Sequence, residues 1–239
     1  LLLIVERMPA TMELALFALL IAVVIGIPLG MLAGFRPESI TAKTIMSGSI
    51  LGFSLPSFWV GIMMMVLFAV HLGWLPSTGR GPTSEWFGIE VSFTSWKGIS
   101  YLLMPAINLS LFKLALVIRL ARAGTREVVH QDYIKFARAK GLSGRRIVLV
   151  HVLKNILIPV VTVLGLEFGG LVAFSIVTET VFAWPGMGKL LIDSIGMLDR
   201  PVIVAYLMII VFLFVIINLV VDILYSILDP RVRLGEIRS

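Results

Sequence analysis

The chain has 239 residues, of which 59% are hydrophobic and 14% charged, and it contains no cysteine. Soluble domains carry about 25% charged residues. The apolar residues here come in long blocks, which predicts a polytopic, all-α membrane protein. Without cysteine, disulfides, thiolate chemistry and cysteine metal sites are excluded. The formal net charge of +6 does not indicate nucleic acid, because the basic residues lie in loops between predicted spans.

Five membrane spans are predicted, each with at least the roughly 20 residues that a bilayer requires. They cover residues 11–34, 45–72, 101–120, 159–183 and 202–228. In the first span Gly26, Gly30 and Gly34 recur at every fourth position. Such a flat stripe predicts close packing against another helix.

The second span is interrupted by Gly52, Pro56 and Gly61. These residues predict a break or a bend near residues 54–57. A broken helix would line a protected cavity, because lipid cannot satisfy freed backbone groups. A simple proline kink is the other interpretation.

Two polar segments separate the later spans. Residues 73–100 are rich in Gly, Pro, Ser and Thr and carry three tryptophans, which is typical of an extracytoplasmic loop at the membrane interface. The stretch AWPGMGKLLIDSIGMLDRP is too polar to span. It predicts an interfacial turn and a short amphipathic helix with Leu190, Leu191 and Ile195 on one side.

Among the charged residues within the predicted spans are Lys113, Glu167 and Asp222. Because charge exposed to lipid is costly, we expect Lys113 and Glu167 to face protein or a water-filled cavity. They are the candidates for a substrate path, although nothing in the sequence assigns them a solute.

No catalytic, nucleotide or metal site is predicted. The sequence GMGK at residues 186–189 is not a phosphate loop, because Ala183 replaces the required first glycine and Leu190 replaces the Ser or Thr that would hold magnesium. The three histidines are dispersed and lack metal-ligand spacing. The chain is therefore predicted not to be an enzyme and to bind no cofactor of its own.

The most distinctive stretch is YIKFARAKGLSGRRIVLVHVLKNILIP, residues 133–159. Up to residue 154 it contains no acid and these basic residues: Lys135, Arg138, Lys140, Arg145, Arg146, His151 and Lys154. Two short helices are predicted, one capped by Asp132 and ended by Gly141, the other capped by Ser143 and running towards Pro159.

The first of these helices should present one face to a partner. Tyr133, Phe136, Ala137 and Lys140 are three or four residues apart and share that face. Ala137 and Ala139 are small enough to allow a close approach. The rival interpretation is that the basic residues only set topology, but the interleaved apolar residues have no topological purpose.

Charge bias orients the chain. Loops at 35–44, 119–158 and 229–239 would lie on one side with these basic residues: Arg36, Lys43, Arg119, Arg122, Arg126, Lys135, Arg138, Lys140, Arg145, Arg146, Lys154, Arg231, Arg233 and Arg238. The other side would hold Arg7, Arg80, Lys97, Lys189 and Arg200. The excess predicts a cytoplasmic C-terminus and an external start, and hence a further span before residue 1.

The residues 133–165 resemble the cytoplasmic "EAA" loop of type I ABC importer permeases, in the version of the dipeptide and oligopeptide permeases. ERMPATMELAL, LGFSLPSFWVGI, LGWLPSTG, VTETVFAWPGMGKLLIDSI and NLVVDILYSILDPRVR extend the resemblance over nearly the whole chain. The chain departs from the generic loop in having Ala137-Arg138-Ala139 in place of Glu-Ala-Ala.

The resemblance implies one permease domain over residues 1–239, with a coupling loop at 122–158, in a prokaryotic cell membrane. It also implies a homologous second permease, two cytoplasmic ATPases that use ATP and magnesium, and an extracytoplasmic solute-binding protein. The ATPase-contacting residues would be Tyr133, Ile134, Phe136, Ala137, Arg138, Ala139, Lys140, Gly141 and Leu142.

Import of peptides or a related small solute, driven by ATP in partner subunits, is the predicted function. An ion-coupled secondary transporter that uses Glu167, Asp222 or Lys113 is the alternative. It predicts inverted internal repeats, which the sequence does not display. A purely structural assembly subunit is a third hypothesis.

Overall fold

The computed structural model describes residues 2–228, without the side chains of Asp222 and residues 224–228. Apart from one hairpin, the regular structure of this part is helical. The helices are α1 (Leu2–Phe35), α2 (Ile40–Ser54), α3 (Ser57–Met64), α4 (Trp96–Val129), α5 (Asp132–Ala139), α6 (Gly144–Arg146), α7 (Leu153–Val181), α8 (Met187–Gly196) and α9 (Arg200–Leu228). Two π-helical segments, Met65–His71 and Ile147–Val152, continue α3 and join α6 to α7.

Within the described residues, four helices are long and apolar enough to cross a membrane, and a fifth span results if α2 and α3 count as one. The prediction of a multi-pass helical protein is confirmed. Two helices are longer than the spans predicted within them. The third predicted span lies inside α4, which runs from Trp96 to Val129, and the fourth begins inside an unbroken helical run from Gly144 to Val181.

Pro159 therefore lies inside a helix and does not separate a short helix from a span. A smaller part of the 122–158 segment than predicted is therefore loop. Its first eight residues continue α4, and its end belongs to the helical run that contains α7.

The predicted break in the second span is confirmed. α2 ends at Ser54 and α3 begins at Ser57, and Pro56 between them has an extended backbone, with ψ of 128°. The Pro56 carbonyl accepts the amide of Val60 at 3.1 Å and so starts α3. A Cβ on Gly61 would lie 3.1 Å from both Val181 and Phe182, so α3 packs closely at this glycine.

The glycine stripe of α1 packs against α4 as predicted. Cβ atoms built at Gly26, Gly30 and Gly34 would lie 2.8, 2.6 and 2.5 Å from side-chain atoms of α4. Those atoms belong to Val117, Ala121 and Thr125, which also recur at every fourth position. Larger residues at these glycines would push the two helices apart.

The chain forms two compact units. One consists of Leu1–Ile21, Ser54–Leu111 and Phe168–Ile216, and the other of Ala22–Phe53, Phe112–Glu167 and Ile217–Ser239. The core of the first unit contains residues from α1, α4, α7, α8 and α9, with Trp184 fully buried among them. The second unit contains the glycine stripe and residues 133–159, which are called the cationic segment below.

The two polar segments differ from their predictions in detail. Residues 73–100 contain an antiparallel hairpin, β1 (Ser84–Trp86) and β2 (Ile89–Val91), and their last five residues begin α4. A short amphipathic helix is present as α8. Leu191 of the predicted apolar side is buried and Leu190 packs against the core, but Ile195 is exposed, and Met187 and Ser194 are buried instead.

Candidate functional site

The cationic segment is built around α5, whose first turn differs from the prediction. Gln131, not Asp132, precedes the helix, and its side chain makes no capping bond. Asp132 is the first helical residue and pairs with Lys135 at 2.9 Å. The Lys135 ammonium donates a hydrogen bond to the Asp132 carboxylate and so lowers the pKa of that exposed carboxyl.

The end of α5 is confirmed in full. Gly141 has φ of +77°, the left-handed conformation that favours glycine. Its amide donates to the Arg138 carbonyl at 2.9 Å, and the Leu142 amide donates to the Ala137 carbonyl at 3.2 Å. These two bonds form a Schellman motif, which satisfies the last carbonyls of the helix and turns the chain away.

Ser143 caps the next helix, as predicted. Its backbone is extended, and its Oγ accepts the Arg146 amide at 3.4 Å. The four residues 140–143 thus connect the end of α5 at Ala139 to the start of α6 at Gly144. A short connection between two specified ends holds α5 in a defined direction.

The buried face of α5 includes two of the residues predicted for partner contact. Ile134 and Ala137 are 0% and 5% exposed, and α5 contacts the Ile147–Val152 segment. On this side the Tyr133 and His151 rings are 6.5 Å apart between centroids. Ala137 therefore packs α5 onto its own chain and is not available to a partner.

The remaining predicted contact residues are open to a partner. Phe136 is 61% and Tyr133 43% exposed. Arg138, Ala139, Lys140 and Gly141 are exposed as well, and Leu142 is partly so. The Lys140 ammonium lies 4.6 Å from the centroid of the Phe136 ring. The outer surface of α5 combines apolar area with positive charge, a pattern suited to a partner that offers a cleft and carboxylates.

The two candidate path residues meet each other. Lys113 on α4 donates to the Glu167 carboxylate on α7, and their side chains are 16% and 45% exposed. Lys113 and Glu167 thus have each other as partners of opposite charge, as intramembrane ions generally do. The side chain of Asp222, the third such candidate, lies outside the described residues.

Sequence reasoning missed a buried glutamate in α1. Glu13 Oε1 accepts the Ser92 amide at 2.7 Å, the Ser92 hydroxyl at 2.8 Å and the Phe93 amide at 3.1 Å. Its Oε2 accepts Arg80 Nη2 at 2.6 Å, and the same nitrogen donates to the Glu90 carbonyl at 2.7 Å. Glu13 therefore anchors the hairpin-bearing segment to α1.

A second buried glutamate joins α1, α7 and α8. Glu179 is 0% exposed, and its Oε1 accepts the hydroxyls of Thr11 at 2.7 Å and Ser175 at 2.8 Å. Its Oε2 accepts the Lys189 amide at 3.0 Å, near the N-terminus of α8. The Thr11 oxygen also accepts the Met187 amide at 2.8 Å. A carboxylate at a helix N-terminus is favoured by the helix dipole.

This arrangement explains the glycines of the GMGK sequence. A Cβ on Gly186 would overlap the Glu179 carboxylate, and one on Gly188 would lie 2.7 Å from Ile176. The glycines leave room for a carboxylate of the chain itself, not for a phosphate. The signal for both glutamates was present in the sequence, as an acid inside an apolar run, but Arg80 lies 67 residues from Glu13 and Thr11 lies 168 residues from Glu179.

Comparison with known proteins gives consistent results. Residues 26–234 match the family described as "Binding-protein-dependent transport system inner membrane component". The di/tripeptide transport system permease protein DppB of Pseudomonas aeruginosa (strain UCBPP-PA14) is 41% identical over 237 residues, 94% of this chain and 70% of that protein. The dipeptide transport system permease protein DppB of Escherichia coli (strain K12) is 37% identical over 244 residues, which cover 96% of this chain and 72% of that protein.

Among solved structures, a chain of the MetNI methionine ABC transporter in an inward-facing conformation superposes with a TM-score of 0.72. The match covers 95% of this chain and 96% of that chain at 20% identity, so it concerns the fold alone. The helical transmembrane fold of type I importers is thereby confirmed, with the β1–β2 hairpin as an addition to the all-α prediction.

Proposed function

This chain belongs to the family of inner membrane components of binding-protein-dependent transport systems, and we propose that it is one of two permease subunits in an ATP-driven importer. The proposed cargo is di- and tripeptides or a related small solute, because the relatives named above transport dipeptides or tripeptides. The ion-coupled alternative receives no support from these relatives.

The observation that carries the proposal is the outer surface of α5. A permease without a nucleotide site must receive energy through contact with an ATPase. α5 offers an exposed aromatic residue, Phe136, beside the exposed cations Arg138 and Lys140. Its position is held by Ile134 and Ala137 on the inner side and by the turn at Gly141. A short helix fixed in this way can transmit motion from the ATPase to α4 and α7.

The proposal assigns sides and partners. The 122–158 segment and the C-terminus lie in the cytoplasm of a prokaryotic cell, and 73–100 is extracytoplasmic. The partners are a homologous permease, two cytoplasmic ATPases that bind ATP and magnesium, and a solute-binding protein on the outer side. This chain itself holds no cofactor and catalyses no covalent step.

Lys113 and Glu167 remain the proposed charged residues of the solute path. The side chain of Glu167 is 45% exposed although it lies within a span. Exposure of a carboxylate to lipid at that depth costs about 2.5–3.5 kcal/mol or more, which favours water or a second subunit as its neighbour. No contact between this pair and a solute is proposed.

The test is uptake of a radiolabelled dipeptide by the complete complex in proteoliposomes. The solute-binding protein is added on the side of the vesicle membrane that carries the extracytoplasmic face of the complex. Uptake should require hydrolysable ATP and persist when ionophores collapse the proton and sodium gradients. Uptake driven by an ion gradient without ATP would contradict the proposal and restore the secondary-transporter hypothesis. Solute-independent ATP hydrolysis without any uptake would support a structural subunit instead.

A further inference from the structure

The β1–β2 hairpin has a turn whose residues do not suit its backbone. Phe87 and Gly88 are the two central residues, with φ of +52° and +78°. Two positive values correspond to a type I′ turn, in which Asn-Gly is the preferred pair. A phenylalanine in the left-handed region is strained. It is also 89% exposed, so packing within the chain does not compensate for the strain.

The two faces of the hairpin have different chemistry. Trp86 and Ile89 are opposite each other on one face and are 55% and 48% exposed. Glu85 and Glu90 are opposite each other on the other face. Like charges in direct cross-strand positions destabilise a sheet. The hairpin thus combines three features that are unfavourable for its stability: a strained aromatic residue at the tip, two acids opposite each other, and exposed apolar side chains.

The hairpin is nevertheless held firmly from within. Arg80 connects its strand β2 to the buried Glu13 through the Glu90 carbonyl. A series of aromatic contacts also connects α1 to the tip. The distances between ring centroids are 5.7 Å for Phe17 and Phe93, 5.7 Å for Phe93 and Trp86, and 5.1 Å for Trp86 and Phe87. The exposed aromatic tip is therefore a positioned feature of the fold.

The base of the hairpin lies at the start of a membrane span. A side chain on Gly98, in the first turn of α4, would collide with the Ser92 carbonyl and lie 3.1 Å from that of Pro82. Between Lys97 and Arg119 the only charged residue of α4 is Lys113. This stretch is about 30 Å long at 1.5 Å per residue, the thickness of the hydrocarbon layer. The first turn of α4 therefore marks the edge of that layer.

We propose that the hairpin is a membrane-interface anchor, whose Phe87 tip and Trp86–Ile89 face insert at the boundary between lipid headgroups and acyl chains. Three residues of strand extend about 10 Å, so the tip can reach this boundary from the start of α4. Tryptophan and phenylalanine favour that zone. The opposite face, with Glu85 and Glu90, stays in water. Since these acids repel anionic headgroups, the anchor depends on insertion of its apolar side chains into the membrane and not on negatively charged lipid.

The test uses the absence of cysteine from this chain. Phe87→Cys and the control Glu85→Cys are spin-labelled in the complete complex, with cysteine-free partners, in phosphatidylcholine vesicles. Power-saturation electron paramagnetic resonance then compares collisions with oxygen and with a water-soluble nickel chelate. We expect nickel accessibility about threefold or more lower at position 87 than at position 85, because the chelate is excluded from the apolar zone. Twenty per cent anionic lipid should not increase the difference.

Equal nickel accessibility at the two positions would overturn the proposal. Shielding of position 87 that develops only when the solute-binding protein is added would also overturn it, and would assign the tip to that protein.

A second measurement keeps Phe87 in place. The fraction of tryptophan emission quenched by brominated phosphatidylcholine is compared between the wild-type complex and the Trp86→Phe variant. Loss of Trp86 should lower the quenched fraction if Trp86 lies in lipid, and an increase would overturn the proposal. The Phe87→Asn variant suits a type I′ turn and preserves the hairpin. It should reduce quenching of Trp86, whereas unchanged quenching would exclude Phe87 as the inserted tip.

Discussion

At the scale of single residues, Gly141 determines where α5 ends. Gly141 has a positive φ, and any residue with a side chain would be strained in this conformation by about 1–2 kcal/mol. We predict that Gly141→Val redirects the exit from α5, so that peptide uptake and co-purification of the ATPase both fall several-fold. Membrane insertion should be unchanged, because the residue lies outside the spans.

Gly144 provides the matched control, since both glycines have open space around a built Cβ and only Gly141 has a positive φ. Gly144→Val should leave uptake and ATPase association close to the wild-type level. Equal losses in the two variants would show that side-chain bulk near the ATPase, and not backbone conformation, is responsible.

The Lys113–Glu167 pair can be tested for a role in the path separately from a role in folding. Removal of one partner leaves an uncompensated charge within a span, whereas removal of both leaves no charge there. Lys113→Met alone should therefore lower the thermal stability of the complex. Lys113→Met with Glu167→Met should restore it.

Uptake by the double variant then decides between the roles. Recovery of uptake together with stability would mean that the pair only joins α4 to α7. Loss of uptake in a stable, fully assembled double variant would support the proposed place of these charges in the solute path.

At the scale of elements, α8 depends on the carboxylate beneath its N-terminus. Gly186→Ala would place a methyl group on Glu179 and disturb the bond to the Lys189 amide. Because that carboxylate is buried and hydrogen-bonded, we predict destabilisation of about 1–3 kcal/mol, seen as a lower melting temperature of the purified complex. Gly196→Ala, at the open end of the same helix, should leave the melting temperature within error. A similar decrease in both variants would contradict the explanation.

Local signals in the sequence predicted some elements well and others poorly. The ends at Gly141 and Ser143 were predictable because capping depends on a few adjacent residues. The inward face of α5 was not, because spacing identifies which residues share a face but not which face is covered. The hairpin was missed since Phe-Gly is not a usual turn signal and its strands have three residues each.

Burial of the two glutamates shows the same limit. Glu13 and Glu179 look like isolated acids in apolar sequence, and only the folded chain brings distant donors such as Arg80 and Thr11 to them. The helix ends at Trp96 and Val129 were not predicted for a different reason. Hydropathy detects the lipid-embedded part of a helix and is insensitive to its polar continuation.

At the scale of the whole molecule, the predicted sides of the membrane remain to be measured. Single cysteines at the exposed positions Glu38 and Arg145 should react with a membrane-impermeant maleimide only from the cytoplasm. Cysteines at Glu85 and Met197 should react only from outside, because the excess of basic residues sets orientation. Any two positions labelled from the wrong side would invalidate this topology. The further prediction that residues 232–236 are cytoplasmic falls outside the described residues.

The central claim is that energy reaches this subunit through the outer surface of α5. Ala139 is an exposed residue of that helix, whereas Ala137 is buried against the chain itself, so Ala139 gives the cleaner test. The decisive measurement is ATPase co-purification and solute-stimulated ATP hydrolysis for Ala139→Arg, with Ala139→Ser as the control of similar size to the wild type. We predict that the arginine variant inserts normally but loses both properties, because its side chain prevents close approach, and that the serine variant retains them. Wild-type association and hydrolysis in Ala139→Arg would contradict docking through α5 and reduce the cationic segment to a topological signal.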